Sequence, residues 1–219
     1  YLLSSWQEDS IADDYFKKVC DKNQYFAEGV IHLKEDEVFV DLGAYTGDTA
    51  RSFLEESRGK YEKMHLFELD PFIYRQLMKN AASMQEEGTG FKQCYPYGIS
   101  DQHGTISFVS GDSNSSILDS SDNADADAGE IRTLDELLGG EKVTFIKMDI
   151  EGAELSALRG GVKTIQAQKP TLAVCIYHSP DDMLEIPLFI KKLVPEYKIY
   201  IRHYTDEMLE TVCYAVIED

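Results

Sequence analysis

The sequence predicts an α/β domain: a mostly parallel seven-stranded sheet with helices on both faces and an antiparallel strand at its C-terminal edge. Three observations predict it. From Glu37 onward short apolar runs alternate with amphipathic segments, the order that a parallel sheet with crossover helices requires. The central runs, such as EVFVDLG and TFIKMDI, read as strands covered on both faces. The last two runs, Lys198–Tyr204 and Glu210–Glu218, are separated by a short connection, so they are antiparallel neighbours. At 219 residues the chain suits one such domain with a sizeable core. It shows no internal repeat and no second domain.

The elements follow in chain order. Residues 1–36 read as a polar, helical N-terminal extension, with Ile11, Tyr15, Phe16 and Val19 at roughly helical spacing. The main domain is 37–219. Glu37–Gly43 is a buried strand that breaks at Gly43. A helix follows from Asp48 to about Ser57, with Asp48 near its positive end. Lys63–Asp70 is the second strand. Asp70-Pro71 starts the next helix, with Asp as N-cap and Pro in the first position. A third strand lies in Phe91–Ser100, interrupted by Pro96, and Thr105–Ser110 alternates like an exposed or edge strand. Gly111–Gly129 is rich in Ser, Asp, Asn and Ala and reads as a loop. Thr133 with Glu136 makes a capping box for a short helix. Thr144–Ile150 is a buried strand, and the helix after it is split by Gly160-Gly161. Thr171–His178 is the next strand, followed by a helix with Pro187 near its start.

Composition narrows the partners. There are 21 Lys plus Arg against 40 Asp plus Glu, a net charge of -19. Such a surface repels phosphate backbones and anionic membranes, so nucleic acid and membrane are not expected as partners. No apolar run is long enough to span a bilayer and no signal-peptide pattern opens the chain. The four cysteines, Cys20, Cys94, Cys175 and Cys213, have no C-x-x-C spacing, which argues against a zinc or redox motif and fits a cytoplasmic location. The chain opens on Tyr1 rather than Met and is expected to be a piece of a longer protein.

The first strand ends in D-L-G-A-Y-T-G-D. Gly43 and Gly47 let the backbone turn sharply and approach a ligand, and the helix that begins near Asp48 turns its free N–H groups toward it. Glu68 ends the second strand, placed to bond the two hydroxyls of a ribose. A nicotinamide dinucleotide site shares these features. However, its G-x-G-x-x-G fingerprint is missing, and acids at Asp41 and Asp48, with no basic residue before Arg51, make a poor cradle for a pyrophosphate.

VDLGAYTGDT, FELDP, GISD, RTLDEL, IKMDIEGAELSALRGG and YHSPDDMLEIPLFIKKLVPEYKIYIRHY together resemble the FkbM-type methyltransferases. The resemblance runs from about Gln24 to the C-terminus, and the M-D-I-E-G-A-E-L segment is its most specific piece. It implies the Rossmann-like class I methyltransferase fold, S-adenosyl-L-methionine as methyl donor, and a hydroxyl oxygen on a saccharide or secondary metabolite as acceptor. Carried onto this chain, Asp41, Gly43, Ala44, Tyr45, Gly47, Asp48 and Thr49 match the cofactor loop and Glu68 the ribose acid. Ser100 and Asp101 match the region that meets the adenine, and Asp149 borders the cofactor.

Methylation of a hydroxyl needs a group to take its proton. Asp149, Glu151 and His178 stand at the carboxyl ends of the fourth and fifth core strands. With its near-neutral pKa, His178 is expected as the base, and Asp149 or Glu151 as the group that positions the acceptor or the histidine. Each has a plainer alternative: a turn bond for Asp149, a helix cap for Glu151, a strand-end residue for His178. The three could also ligate Mg²⁺ or Mn²⁺ together, but no metal is assigned. Two other functions stay open, a nicotinamide-dependent oxidoreductase and a catalytically silent nucleoside-binding domain.

Overall fold

A computed structural model of the chain describes residues 24–85, 87–109, 116–117, 127–205 and 209–218. Seven strands form the main sheet: β1 (Val38–Leu42), β2 (Lys63–Phe67), β3 (Phe91–Tyr95), β8 (Phe145–Met148), β9 (Thr171–Cys175), β10 (Lys198–His203) and β11 (Thr211–Val216). Their order is β10-β11-β9-β8-β1-β2-β3. β1 pairs in parallel with β2 on one side and β8 on the other, so the order reverses between β1 and β8. Ligands bind beyond the carboxyl ends of strands at such a switch point.

The expected antiparallel strand is present, but not at the edge. β11 lies one place in, antiparallel to both β9 and β10. Burial explains the order: every residue of β11 is buried, whereas β10 has only exposed and half-buried positions and tolerates the edge.

Among the described residues, six helices cover the two faces: α1 (Asp48–Glu56), α2 (Pro71–Ser83), α3 (Leu134–Leu138), α4 (Glu154–Gly160), α5 (Val162–Gln168) and α6 (Asp182–Leu193). Phe53 of α1 and Leu77 of α2 pack with Phe39 and Phe145 on one face, where the Phe39 and Phe53 rings stack at 4.5 Å. Leu158, Ile165 and Ile190 pack with Val40, Ile146 and Leu172 on the other. The local start signals act as read. Asp70 accepts from the N–H groups of Phe72 and Ile73 with Pro71 behind it, and Thr133 accepts from that of Glu136. α4 and α5 meet at Gly160-Gly161. α6 begins at Asp182, so Pro187 falls inside it.

One further expectation changes. A second, four-stranded sheet is built from β4 (Gly98–Ile99), β5 (Gly104–Val109), β6 (Ser116–Ile117) and β7 (Asp127–Arg132), in the order β4-β7-β5-β6. The strand read as exposed or edge is therefore paired on both sides and buries Phe108. The loop expected over Gly111–Gly129 lies mostly outside the described residues, and its last three residues belong to β7. The helical extension also lies mostly outside them, and residues 24–36 form turns and extended chain.

Candidate functional site

Beyond the carboxyl ends of β1, β2 and β8 lies a cavity of about 570 Å³. The second sheet closes one flank of it with Ile99, Ile106, Phe108 and Ile131, an apolar wall that suits a flat aromatic base.

Gly43 and Gly47 turn the chain at φ +78 and +92, values that glycine adopts without strain. The close approach they allow is to the protein itself. A Cβ on Gly43 would stand 1.9 Å from the carbonyl oxygen of Asp149, and one on Gly47 would stand 3.2 Å from Leu77. Gly43 also borders the cavity, together with Tyr45, Asp48 and Thr49, whereas Gly47 and the buried Ala44 do not. Ala44 instead donates its N–H to the Phe67 carbonyl and ties the loop to β2.

Asp41, expected in the cofactor loop, lies fully buried under the cavity. Successive strand residues face opposite sides, and Asp41 is in register with Lys147 on the neighbouring strand. The Lys147 ammonium lies 3.0 Å from Asp41 Oδ1 and donates to the Gly43 carbonyl at 2.7 Å. Burial works to lower the Lys147 pKa, but Asp41 and Asp149 outweigh it and keep the amine charged. Asp41 thus acts through Lys147, which itself reaches the cavity wall.

Glu68 lines the cavity and is held by two backbone bonds, from Asp70 N–H to Oε1 at 2.8 Å and from Tyr45 N–H to Oε2 at 3.0 Å. Burial pushes its carboxyl up to about 7, against those bonds. Each oxygen keeps a second lone pair for a ribose hydroxyl. Glu68→Ala is expected to weaken S-adenosylhomocysteine binding several-fold to a hundred-fold, on the order of 1–3 kcal/mol. In the native chain the affinity should fall as pH drops through about 7, because protonation removes the charged acceptor. Calorimetric titration across pH checks both, and an unchanged affinity in a folded variant removes Glu68 from the site. Ser100 borders the cavity, whereas Asp101 is exposed and stands outside it.

At the other end Asp149, Glu151 and Tyr177 line the cavity. Asp149 accepts from Tyr25 OH at 2.8 Å and Tyr177 OH at 3.1 Å. Burial works to raise its pKa, but the Lys147 charge and the Tyr25 bond outweigh it and keep the carboxyl below its ordinary value. Glu151 is held at φ +56, a strained conformation for a side chain of this size, and burial raises its pKa.

His178 does not line the cavity. Its ring stands behind the two acids, Nε2 3.5 Å from Asp149 Oδ1 and 3.6 Å from Glu151 Oε2, and Nδ1 3.0 Å from Glu154 Oε1. The His178 ring packs on that of Tyr177, with centroids 4.2 Å apart, and Tyr177 is the one of the two that lines the cavity. Tyr25, Lys147, Glu154 and Tyr177 were not singled out from the sequence. Lys147 alone left a signal, as the one basic residue inside the apolar run TFIKMDI.

The model of the FkbM methyltransferase domain matches residues 41–208. The chain belongs to the FkbM methyltransferase family. Its cofactor is accordingly S-adenosyl-L-methionine, and the cavity fits it: an acid for a ribose, an apolar wall for a base, and carboxylates at the far end for a sulfonium. The methyltransferase FkbM from Methylobacillus flagellatus KT is similar at 26% identity and a TM-score of 0.75, over 93% of this chain and 50% of that one. This FkbM chain thus spans about half the length of that relative. Precorrin-6y C5,15-methyltransferase from Geobacter metallireducens GS-15 shares the fold, with a TM-score of 0.50 and 10% identity over 90% of this chain and 96% of that one. A comparison with curated proteins returns no match. Among the described residues, no helix is long and apolar enough to cross a membrane.

Proposed function

We propose that this FkbM methyltransferase methylates a hydroxyl oxygen of a small acceptor, a saccharide or a secondary metabolite. The observation that carries the reading is the carboxylate end of the cavity, where Asp149 and Glu151 line the wall side by side. Bound S-adenosyl-L-methionine supplies an electrophilic methyl carbon on a sulfonium. Glu68 holds the ribose, the α1 N-terminus faces the amino-acid end, and the apolar flank with Ser100 takes the adenine.

Asp149, fixed by Tyr25 and Tyr177, sets a negative potential at the far end. Glu151 takes the proton of the acceptor hydroxyl, because Glu151 lines the cavity and His178 does not. His178 and Glu154 support these two acids from behind. The net charge of -19 disfavours a nucleic-acid acceptor. The apolar flank and the absence of a cradle for a second phosphate disfavour a nicotinamide dinucleotide.

The test is transfer of labelled methyl from S-adenosyl-L-methionine to a panel of sugars, hydroxylated metabolites, amines and thiols, with a melting scan in S-adenosylhomocysteine and in NAD. Label recovered in an ether, and a melting rise with S-adenosylhomocysteine alone, are expected. Label recovered only on nitrogen or sulfur rejects the hydroxyl reading.

A further inference from the structure

Behind the carboxylate end of the cavity three side chains from three elements converge. Asp149 follows β8, Glu154 opens α4, and His178 follows β9. One ligand atom from each lies within 4.8 Å of the others. The side chain of Glu154 is 0% exposed and that of His178 is 9% exposed. Glu154 Oε1 accepts from the Ile150 N–H at 2.8 Å, but Oε2 has no hydrogen-bond partner among the described residues. Neither nitrogen of His178 has one either, although Nδ1 is 3.0 Å from Glu154 Oε1. Buried polar atoms without partners are rare and costly.

Charge sharpens the point. Asp149, Glu151 and Glu154 surround one imidazole. Even with that ring protonated, three carboxylates against one cation leave two negative charges in excess. Lys147 favours the charged Asp149, but it also faces the fully buried Asp41 at 3.0 Å, so counting that pair as well leaves the same excess. A purely structural His178–Glu154 ion pair leaves Oε2 of Glu154 and the excess charge unanswered. A divalent ion answers both, and two carboxylate oxygens with one imidazole nitrogen suit an ion of intermediate hardness. The tight turn Glu151-Gly152, at φ +56 and +94, folds the chain so that Asp149 and Glu154, five positions apart, face one point.

We propose that Asp149, Glu154 and His178 bind a divalent cation of the Mn²⁺ or Mg²⁺ class, just behind the wall of the acceptor end. Water completes its coordination. The ion fixes the Asp149 carboxylate from the side away from the cavity and offsets the excess negative charge next to Glu151. The site deepens the proposed function and rests on it only for that consequence.

The experiment is a Mn²⁺ titration of the chelator-stripped protein, with free Mn²⁺ read by its electron paramagnetic resonance. The same samples are titrated with S-adenosylhomocysteine. One Mn²⁺ per chain is expected, competed by Mg²⁺, and weakened at least ten-fold in His178→Ala and in Glu154→Gln. Should the buried Glu154→Gln fail to fold, His178→Gln carries the comparison. Native protein that binds S-adenosylhomocysteine but no Mn²⁺ overturns the site. Binding undiminished in folded variants also overturns it, because the ions then lie on the acidic surface. Mn²⁺ bound and lost as expected, without S-adenosylhomocysteine binding, leaves the site standing and removes the methyl-transfer reading of the cavity.

Discussion

Glu151→Gln is expected to lower turnover by about a hundred-fold or more, the usual range for a lost general base, while S-adenosylhomocysteine affinity stays within a few-fold. Glu151 lines the cavity with Asp149, and its backbone is held at φ +56. The strained turn fixes where the side chain emerges. Glutamine keeps the size of the side chain and the cost of the turn, and removes only the ability to accept a proton. Single-turnover measurement with saturating S-adenosyl-L-methionine, together with a cofactor titration, separates chemistry from binding. A variant that keeps its turnover, or that loses cofactor affinity instead, shows that Glu151 is not the proton acceptor.

Gly43→Ala is expected to be the most destabilising single change at the site. Its Cβ would meet the backbone oxygen of Asp149 at 1.9 Å, so the ends of β1 and β8 would have to part. The position also sits at φ +78, where alanine is strained. Together these cost about 3 kcal/mol or more, a fall in melting temperature of roughly 6–12 °C for a chain of this size. Gly47→Ala should cost less, because its Cβ would meet the Leu77 side chain at 3.2 Å, which can shift. Thermal melts of the two variants rank them. A Gly43→Ala protein as stable as the parent contradicts the close approach of the two strand ends.

Legibility followed the range of the interactions involved. The Asp70-Pro71 start of α2, the Thr133 cap of α3 and the break at Gly160-Gly161 are set by atoms a few residues apart, so local chemistry reveals them. Glu68 was equally visible, because an acid at a strand tip after a glycine loop keeps its place whatever packs around it. The second sheet was not. β5 pairs β7 across a segment of weak apolar pattern, and only the partner strand shows that Thr105–Val109 is paired rather than exposed.

By itself the sequence determined the alternation of strands and helices, the glycine turn after β1, the acid after β2 and the gathering of Asp149, Glu151 and His178 at neighbouring strand ends. The tertiary structure decided which face each side chain serves. Register across β1 and β8 places Asp41 against Lys147 under the cavity. Packing beyond β9 puts Tyr177 on the cavity and leaves His178 behind it, with its ring on Tyr177 and against Glu154. Strand pairing brings together residues more than a hundred positions apart, such as Val40 and Ile146, and side-chain packing does the same for Tyr25 and Asp149. A one-residue change of register would exchange the two faces, and that register is fixed by packing between strands rather than by any local run of sequence.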